Sequence, residues 1–222
     1  MTLYEYQPAV AGYYDGVTYC QKQLINANTP WNGDYTLDSG YFMNLHFSQF
    51  MDKGWSFIFD ACYSDAKAGG DGHALVDAKY SYITACSNDG DYSTIITNTT
   101  SEPITYNFEV TNLAKADNEV YVWETRGPDE GQEYNANYFK KISTVTPENG
   151  KYSVTIKPYS MITVSTLNIS EPEFDVPQES DNKLLSLPYT DDFGYSDEFL
   201  ASRGNAPLYT TDAVSYTHLT LP

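Results

Sequence analysis

The sequence predicts a mainly β chain built around an antiparallel β-sandwich, with one strand-loop-helix unit in front of it. Three observations carry that expectation. From Gly54 onward, short β-prone runs recur between turn clusters at the spacing of a sandwich or barrel. Two of these runs alternate strictly: Tyr106, Phe108 and Val110 share one face of their strand, and Tyr152, Val154 and Ile156 share one face of theirs. Helical periodicity is confined to the stretch before Gly54.

Taken in order, Gln23-Leu-Ile-Asn-Ala27 reads as a short buried strand. The turn-rich Thr29-Pro-Trp-Asn-Gly33 follows, and then a helix running through Phe42, Leu45, His46 and Phe50. Strand-like runs come next at Trp55 to Phe59, Ser81 to Ala85, Tyr92 to Asn98 and Ile104 to Val110. Four more occupy Glu119 to Thr125, Tyr138 to Val145, Lys151 to Ile156 and Met161 to Leu167. The acidic, proline-bearing Glu171 to Lys183 reads as a surface linker and marks a boundary. Beyond it, Leu187 to Phe193 begins a new pattern with apolar Phe199 and Leu208, too short to fold by itself.

Composition excludes several roles. The formal charge of −18, with only 12 Lys and Arg, repels phosphate backbones and anionic lipid, so neither nucleic acid nor a membrane surface is an expected partner. No apolar run reaches the roughly 18 residues that span a bilayer. Cys20, Cys62 and Cys86 form neither a disulfide scaffold nor a metal motif, and no other motif calls for a cofactor or metal. The 21 tyrosines suit strand surfaces and sugar-stacking platforms alike.

Both ends read as cut. MTLYEYQPAV lacks the basic-then-apolar layout of a secretory leader and runs almost at once into an apolar strand with nothing before it to pair with. Ala213 to Pro222 resembles the translation of a transposon-type sequencing adaptor, which would leave His46 and His73 as the native histidines.

Other motifs have plain structural readings. Asn88-Asp-Gly-Asp91 fits a tight hairpin turn better than the start of a calcium loop. Glu124, Asp129, Glu130 and Glu133 around Arg126-Gly-Pro128 read as a solvated hairpin loop rather than a catalytic pair. His46 reads as a hydrogen-bonded packing histidine and His73 as a loop residue. Asn98-Thr-Thr100 and Asn168-Ile-Ser170 match the N-glycosylation pattern, which arises often by chance.

Ala27-Asn-Thr-Pro-Trp31-Asn-Gly33-Asp-Tyr35, followed by His46-Phe-Ser-Gln49-Phe50 and Gly54-Trp55, resembles the galactosylceramidase family, glycoside hydrolase family 59. The likeness continues through Gly69-Gly70, Ser93 to Thr97, Val122-Trp123 and Lys151 to Thr155, and resumes at Asp191-Asp-Phe193. That family combines a (β/α)8 barrel, a β-sandwich and a C-terminal lectin-like domain. The resemblance therefore implies that residues 1–48 are the terminal βα unit of a barrel, 49–170 the sandwich, 171–186 the linker and 187–212 the start of a lectin-like domain. A barrel of this kind takes about 250 residues, so most of it would lie upstream of Met1.

The implied chemistry is glycoside hydrolysis with retention, which needs an acid and a nucleophile about 5 to 5.5 Å apart. In the resembled family the two glutamates follow barrel strands four and seven. The surviving strand would be the eighth, so the chain is expected to carry no catalytic residue and to be inactive alone. Residues just after a barrel strand face the active-site mouth, which makes Asn28, Trp31 and Tyr35 candidates for sugar contact. Trp31 has a structural alternative, anchoring the last helix against the sandwich. Tyr19 falls where the family has a galactose-contacting tyrosine. The family's sandwich loop also supplies an arginine to galactose, and the matching stretch Asn98 to Glu102 has none. The parent's substrate would be a β-galactosyl lipid or related galactoside, and its compartment extracellular or secretory. A competing reading is a non-catalytic carbohydrate-binding or structural β-sandwich of a surface protein.

Overall fold

A computed structural model describes residues 9–11, 23–26, 35–65, 67–68, 75–76, 79–172 and 196. The chain divides into two units, with Tyr41–Glu173 forming one of them. In the other, β1 (Val10–Ala11) pairs in parallel with β2 (Ile25–Asn26), and β2 pairs antiparallel with β3 (Thr36–Leu37). The strand expected at Gln23 to Ala27 is thus present but only two residues long. It also has a parallel neighbour at Val10–Ala11 that the sequence reading did not find.

The helix α1 spans Ser39–Ser48, and two further backbone bonds, from Gln49 to Leu45 and from Met51 to Phe47, carry the coil past Phe50. Phe42, His46 and Phe50 recur every fourth residue and are all buried. The coil ends in a turn closed by Trp55 N–H to the Asp52 carbonyl, where Gly54 takes φ +97°.

The remaining strands are β4 (Ser56–Phe57), β5 (Tyr63–Ser64), β6 (Lys67–Ala68), β7 (Leu75–Val76), β8 (Ser81–Cys86), β9 (Tyr92–Asn98) and β10 (Ile104–Glu109). They continue as β11 (Val120–Arg126), β12 (Lys140–Val145), β13 (Lys151–Ile156) and β14 (Ser160–Ser165). Each of the eight strand-like runs expected from Trp55 onward contains one of these strands, shifted by a few residues at most. The short strands β3, β5, β6 and β7 carry too few residues to show a period.

Two layers face each other. The larger is a seven-stranded antiparallel sheet ordered β12-β11-β14-β9-β8-β4, with β5 also on β8. The smaller is the antiparallel pair β10-β13, and β6 pairs with β7 apart from both. Alternation decides what each face does. On the outer face of β10-β13, Thr105 meets Thr155 at 2.9 Å, Asn107 meets Ser153 at 2.7 Å and Glu109 meets Lys151 at 3.0 Å. On the inner face, Phe108 stacks on Tyr152 with centroids 4.5 Å apart, and Tyr106 lies opposite Val154. These inner residues close over Tyr92, Ile96, Val122, Ile162 and Val164 of the large sheet.

The opposite face of the large sheet carries α1. Phe50 packs on Trp123 and Phe139 at 5.8 and 6.0 Å, and Phe42 on Tyr138 at 4.9 Å. The sheet residues here include Thr125 and Thr163, small enough to let the helix approach closely. Among the described residues the helix's partners are the sandwich sheet and the loop before β12, where aromatic and small residues present a matching surface.

An ion pair also joins the two layers. Glu124 on β11 is buried, accepts a hydrogen bond from Arg126 at 3.0 Å and forms an ion pair with Lys157, just past β13, at 3.5 Å.

Candidate functional site

Of the four residues named as sugar contacts, Tyr19, Asn28 and Trp31 lie outside the described residues, as do His73, Cys20 and His218. Tyr35 is described: half-buried, immediately before β3. Around that strand pair a small polar group gathers. Gln23 Nε2 donates to Asp38 Oδ2 at 3.1 Å, while Gln23 Oε1 and Asn26 Oδ1 are buried without a hydrogen-bond partner. Burial raises the Asp38 carboxyl above its ordinary pKa, and the Gln23 bond partly opposes this.

The acidic cluster around Arg126 is an ion-pair network. Arg126 binds Asp129 through two bonds of 2.7 and 2.6 Å and holds its carboxyl below the usual range. Glu130 and Glu133 are exposed, in keeping with a solvated loop. Glu124 departs from that expectation: it sits in β11, buried beneath the loop, with Oε2 unpartnered. Its alternation phase along the strand turns it inward, and Arg126 and Lys157 compensate its charge.

The Asn88–Asp91 segment is the hairpin turn between β8 and β9. Ser87 Oγ accepts from the Asp89 and Asp91 amides, and Gly90 takes φ +85°. The Asp91 carboxylate pairs with Lys115 at 2.5 Å and accepts from Thr166 at 2.8 Å. Asn98 likewise has a structural task. Its amide donates to the carbonyls of Glu102 and Lys157 at 2.8 and 2.9 Å, and its Oδ1 accepts from Thr100 N–H and Oγ1. This clasp fills the stretch where an arginine was sought.

His46 is fully buried. One ring nitrogen lies 2.8 Å from Thr163 Oγ1 and the other 2.8 Å from Thr125 Oγ1. Burial lowers its pKa to about 3, so the ring is neutral, one nitrogen donating and one accepting. It matches the packing histidine expected from sequence.

The described sandwich also holds a concavity that sequence reading did not find. The two-stranded layer is narrower than the sheet it covers, so a groove of about 440 Å³ opens between β10, β8–β9 and the turn Phe59–Ala61. Tyr82, Thr84, Thr94, Tyr106 and Phe108 line it, with Ile58 and Asp60 on the rim side. Rings form a continuous path: Tyr63 lies 5.9 Å from Tyr82, and Tyr82 5.8 Å, edge to face, from Tyr106. The Tyr106 hydroxyl is buried without a partner. Burial, followed by the proximity of Tyr82, Tyr80 and Asp65, pushes its pKa up to about 12, so it stays protonated and able to donate. The only signal of this site in the sequence was the abundance of tyrosine. The strands that assemble it are joined by turns and loops whose lengths say nothing about a gap.

No protein-family model matches the chain. The galactocerebrosidase of Danio rerio is 24% identical over 199 residues, covering 83% of this chain and 28% of that protein. The galactocerebrosidase of Salmo salar is 25% identical over 167 residues, covering 71% of this chain and 24% of that protein. Among solved structures, the family 30 subfamily 8 xylanase of Clostridium acetobutylicum aligns with 65% of this chain and 30% of its own, at 17% identity and a TM-score of 0.46. The chain therefore spans about a quarter of the length of these curated relatives. The chain is thus similar, through most of its length, to galactocerebrosidases, and its described sandwich is mainly antiparallel β.

Proposed function

We propose that this chain is the C-terminal accessory part of a retaining glycoside hydrolase acting on β-galactosyl lipids or related β-galactosides, and that it does not hydrolyse them alone. The observation that carries this reading is the collinear likeness to galactocerebrosidases over 199 residues, matching 28% of the relative. In this reading residues 1–48 are the last βα unit of a (β/α)8 barrel and 49–170 its β-sandwich. Residues 171–186 are a linker, 187–212 begin a lectin-like domain, and 213–222 are adaptor-derived. The parallel pairing of Val10–Ala11 with Ile25–Asn26 supports the barrel assignment, since parallel neighbours are what a βα unit produces. The intact parent works outside the cell or in the secretory route.

Tyr19, Asn28, Trp31 and Tyr35 contact the sugar in the intact parent, and the acid and nucleophile come from upstream barrel strands. The Asn98 clasp in place of a loop arginine favours a galactoside bound differently from galactosylceramide. The test is direct. The purified chain is expected to release no galactose from an aryl β-galactoside. The upstream reading frame should encode glutamates after barrel strands four and seven, and joining it to this chain should restore release. Turnover by the chain alone, or an upstream region without those glutamates, would remove the reading.

A further inference from the structure

The groove between β8–β9 and β10 has the features of a ligand site, and none of the roles above uses it. Its chemistry narrows the ligand. Neither Lys nor Arg is among its lining residues, Asp60 is, and the chain carries a charge of −18, so an anion is disfavoured. A purely apolar chain would leave the buried Tyr106 hydroxyl unpartnered and would cover polar main chain. That main chain belongs to β10. Val110 N–H bonds the Gly150 carbonyl on the β13 side, so antiparallel alternation turns the N–H and C=O of Thr105, Asn107 and Glu109 to the free edge. The side chains of Asn107 and Glu109 are engaged on the outer face, which leaves their backbone to line the groove.

The remaining surface is aromatic. Phe59, 83% exposed, lies between the lining residues Ile58 and Asp60, and Tyr63, 52% exposed, touches Tyr82. Large rings so open to water on a β surface mark a contact surface rather than core. Ring faces beside hydroxyls and free amides suit a molecule with flat C–H faces and a girdle of neutral hydroxyls. The volume lies in the range of small-molecule sites.

We propose that this groove binds a neutral saccharide of one or two rings, stacked on Tyr63 and Tyr82, with the Tyr106 hydroxyl and the free edge of β10 bonding its hydroxyls. This site lies wholly within the sandwich and stands whether or not the parent is a galactosidase.

The experiment is a titration of the full chain with lactose, cellobiose and xylobiose, followed by saturation-transfer NMR and by intrinsic tyrosine fluorescence. At least one sugar should bind saturably with a Kd of about 1 mM, as few and open contacts allow. Tyr63→Ala, at an exposed position, and Tyr106→Phe, which keeps the ring, should each weaken it by about threefold to tenfold. Tyr134→Ala, on the far loop, should leave it unchanged. No saturable binding of any of the three sugars, or equal affinity in the Tyr63 and Tyr106 variants, would overturn the proposal. So would groove occupancy by laurate or by an extended peptide without a sugar response. Hydrolysis is not read in this assay, so its failure is separable from failure of the glycosidase reading.

Discussion

His46 links α1 to the sheet through two hydroxyls, and its neutrality sets a pH dependence. The folded pKa is about 3, below the ordinary value of about 6.5 for an unfolded histidine. Since the folded value is the lower one, the contribution is complete above pH about 6.5 and falls by about 1.4 kcal/mol per pH unit as pH drops toward 3. At neutral pH, His46→Leu should cost about 2 to 3 kcal/mol, because Thr125 and Thr163 lose buried partners. Urea unfolding between pH 7.5 and 4 would show the gap between wild type and variant narrowing with acid. A gap that stayed constant would mean the ring is charged or exposed. Asn98 supplies a second residue-scale outcome. Its side chain is buried and fully bonded, so folded protein secreted from a eukaryotic host should carry glycan at the exposed Asn168 and none at Asn98. Peptide mass mapping would read both positions. The sequence pattern gave the two sites equal standing, since a three-residue motif carries no information about burial.

At the scale of elements, β10 and β13 were legible because each has one wet and one dry face. The alternation of Tyr106, Phe108 and Val110 against Thr105, Asn107 and Glu109 fixes the register and which face turns inward. The turn before β13 is fixed by Gly150, which takes φ +72°, donates its N–H to Asp117 and lies so close to β10 that a Cβ would meet the Val110 carbonyl oxygen. Gly150→Ala should therefore cost more than about 2 kcal/mol, through both the backbone conformation and the clash. Gly54→Ala, at φ +97° with open space around it, should cost about 1 kcal/mol from the backbone alone. Chemical denaturation of the pair separates the two causes, and equal losses would mean that the contact with β10 is not made. The helix α1 was legible as an element from its fourfold spacing. Its docking surface was not, because Trp123, Tyr138 and Phe139 are remote in sequence and only the sheet's folding brings them under Phe42 and Phe50.

For the molecule as a whole, the unit Tyr41–Glu173 contains both layers, their shared core and the helix that covers the outer face. Residues 38–173 expressed alone should therefore unfold in one cooperative transition, with near-UV and far-UV circular dichroism coincident. Separate transitions would show that the sandwich depends on the segments left out. The groove follows from the same architecture, since a two-stranded layer leaves part of a seven-stranded sheet uncovered.

Periodicity, turn residues and charge were enough to set the β class, the positions of eight strand runs, the helix and the hairpin at Asn88–Asp91. These are local matters, decided by how a few neighbouring side chains partition between water and core. The ordered motifs from Ala27 to Asp191 also carried the likeness to galactosylceramidases. Tertiary structure alone decided that Glu124 is buried, that His46 meets two threonines, that Asn98 clasps a loop and that Tyr82 and Tyr106 line one groove with Tyr63 packed beside Tyr82. Each of these depends on strand order and sheet width, and so on contacts between residues far apart in the chain, which no local pattern encodes.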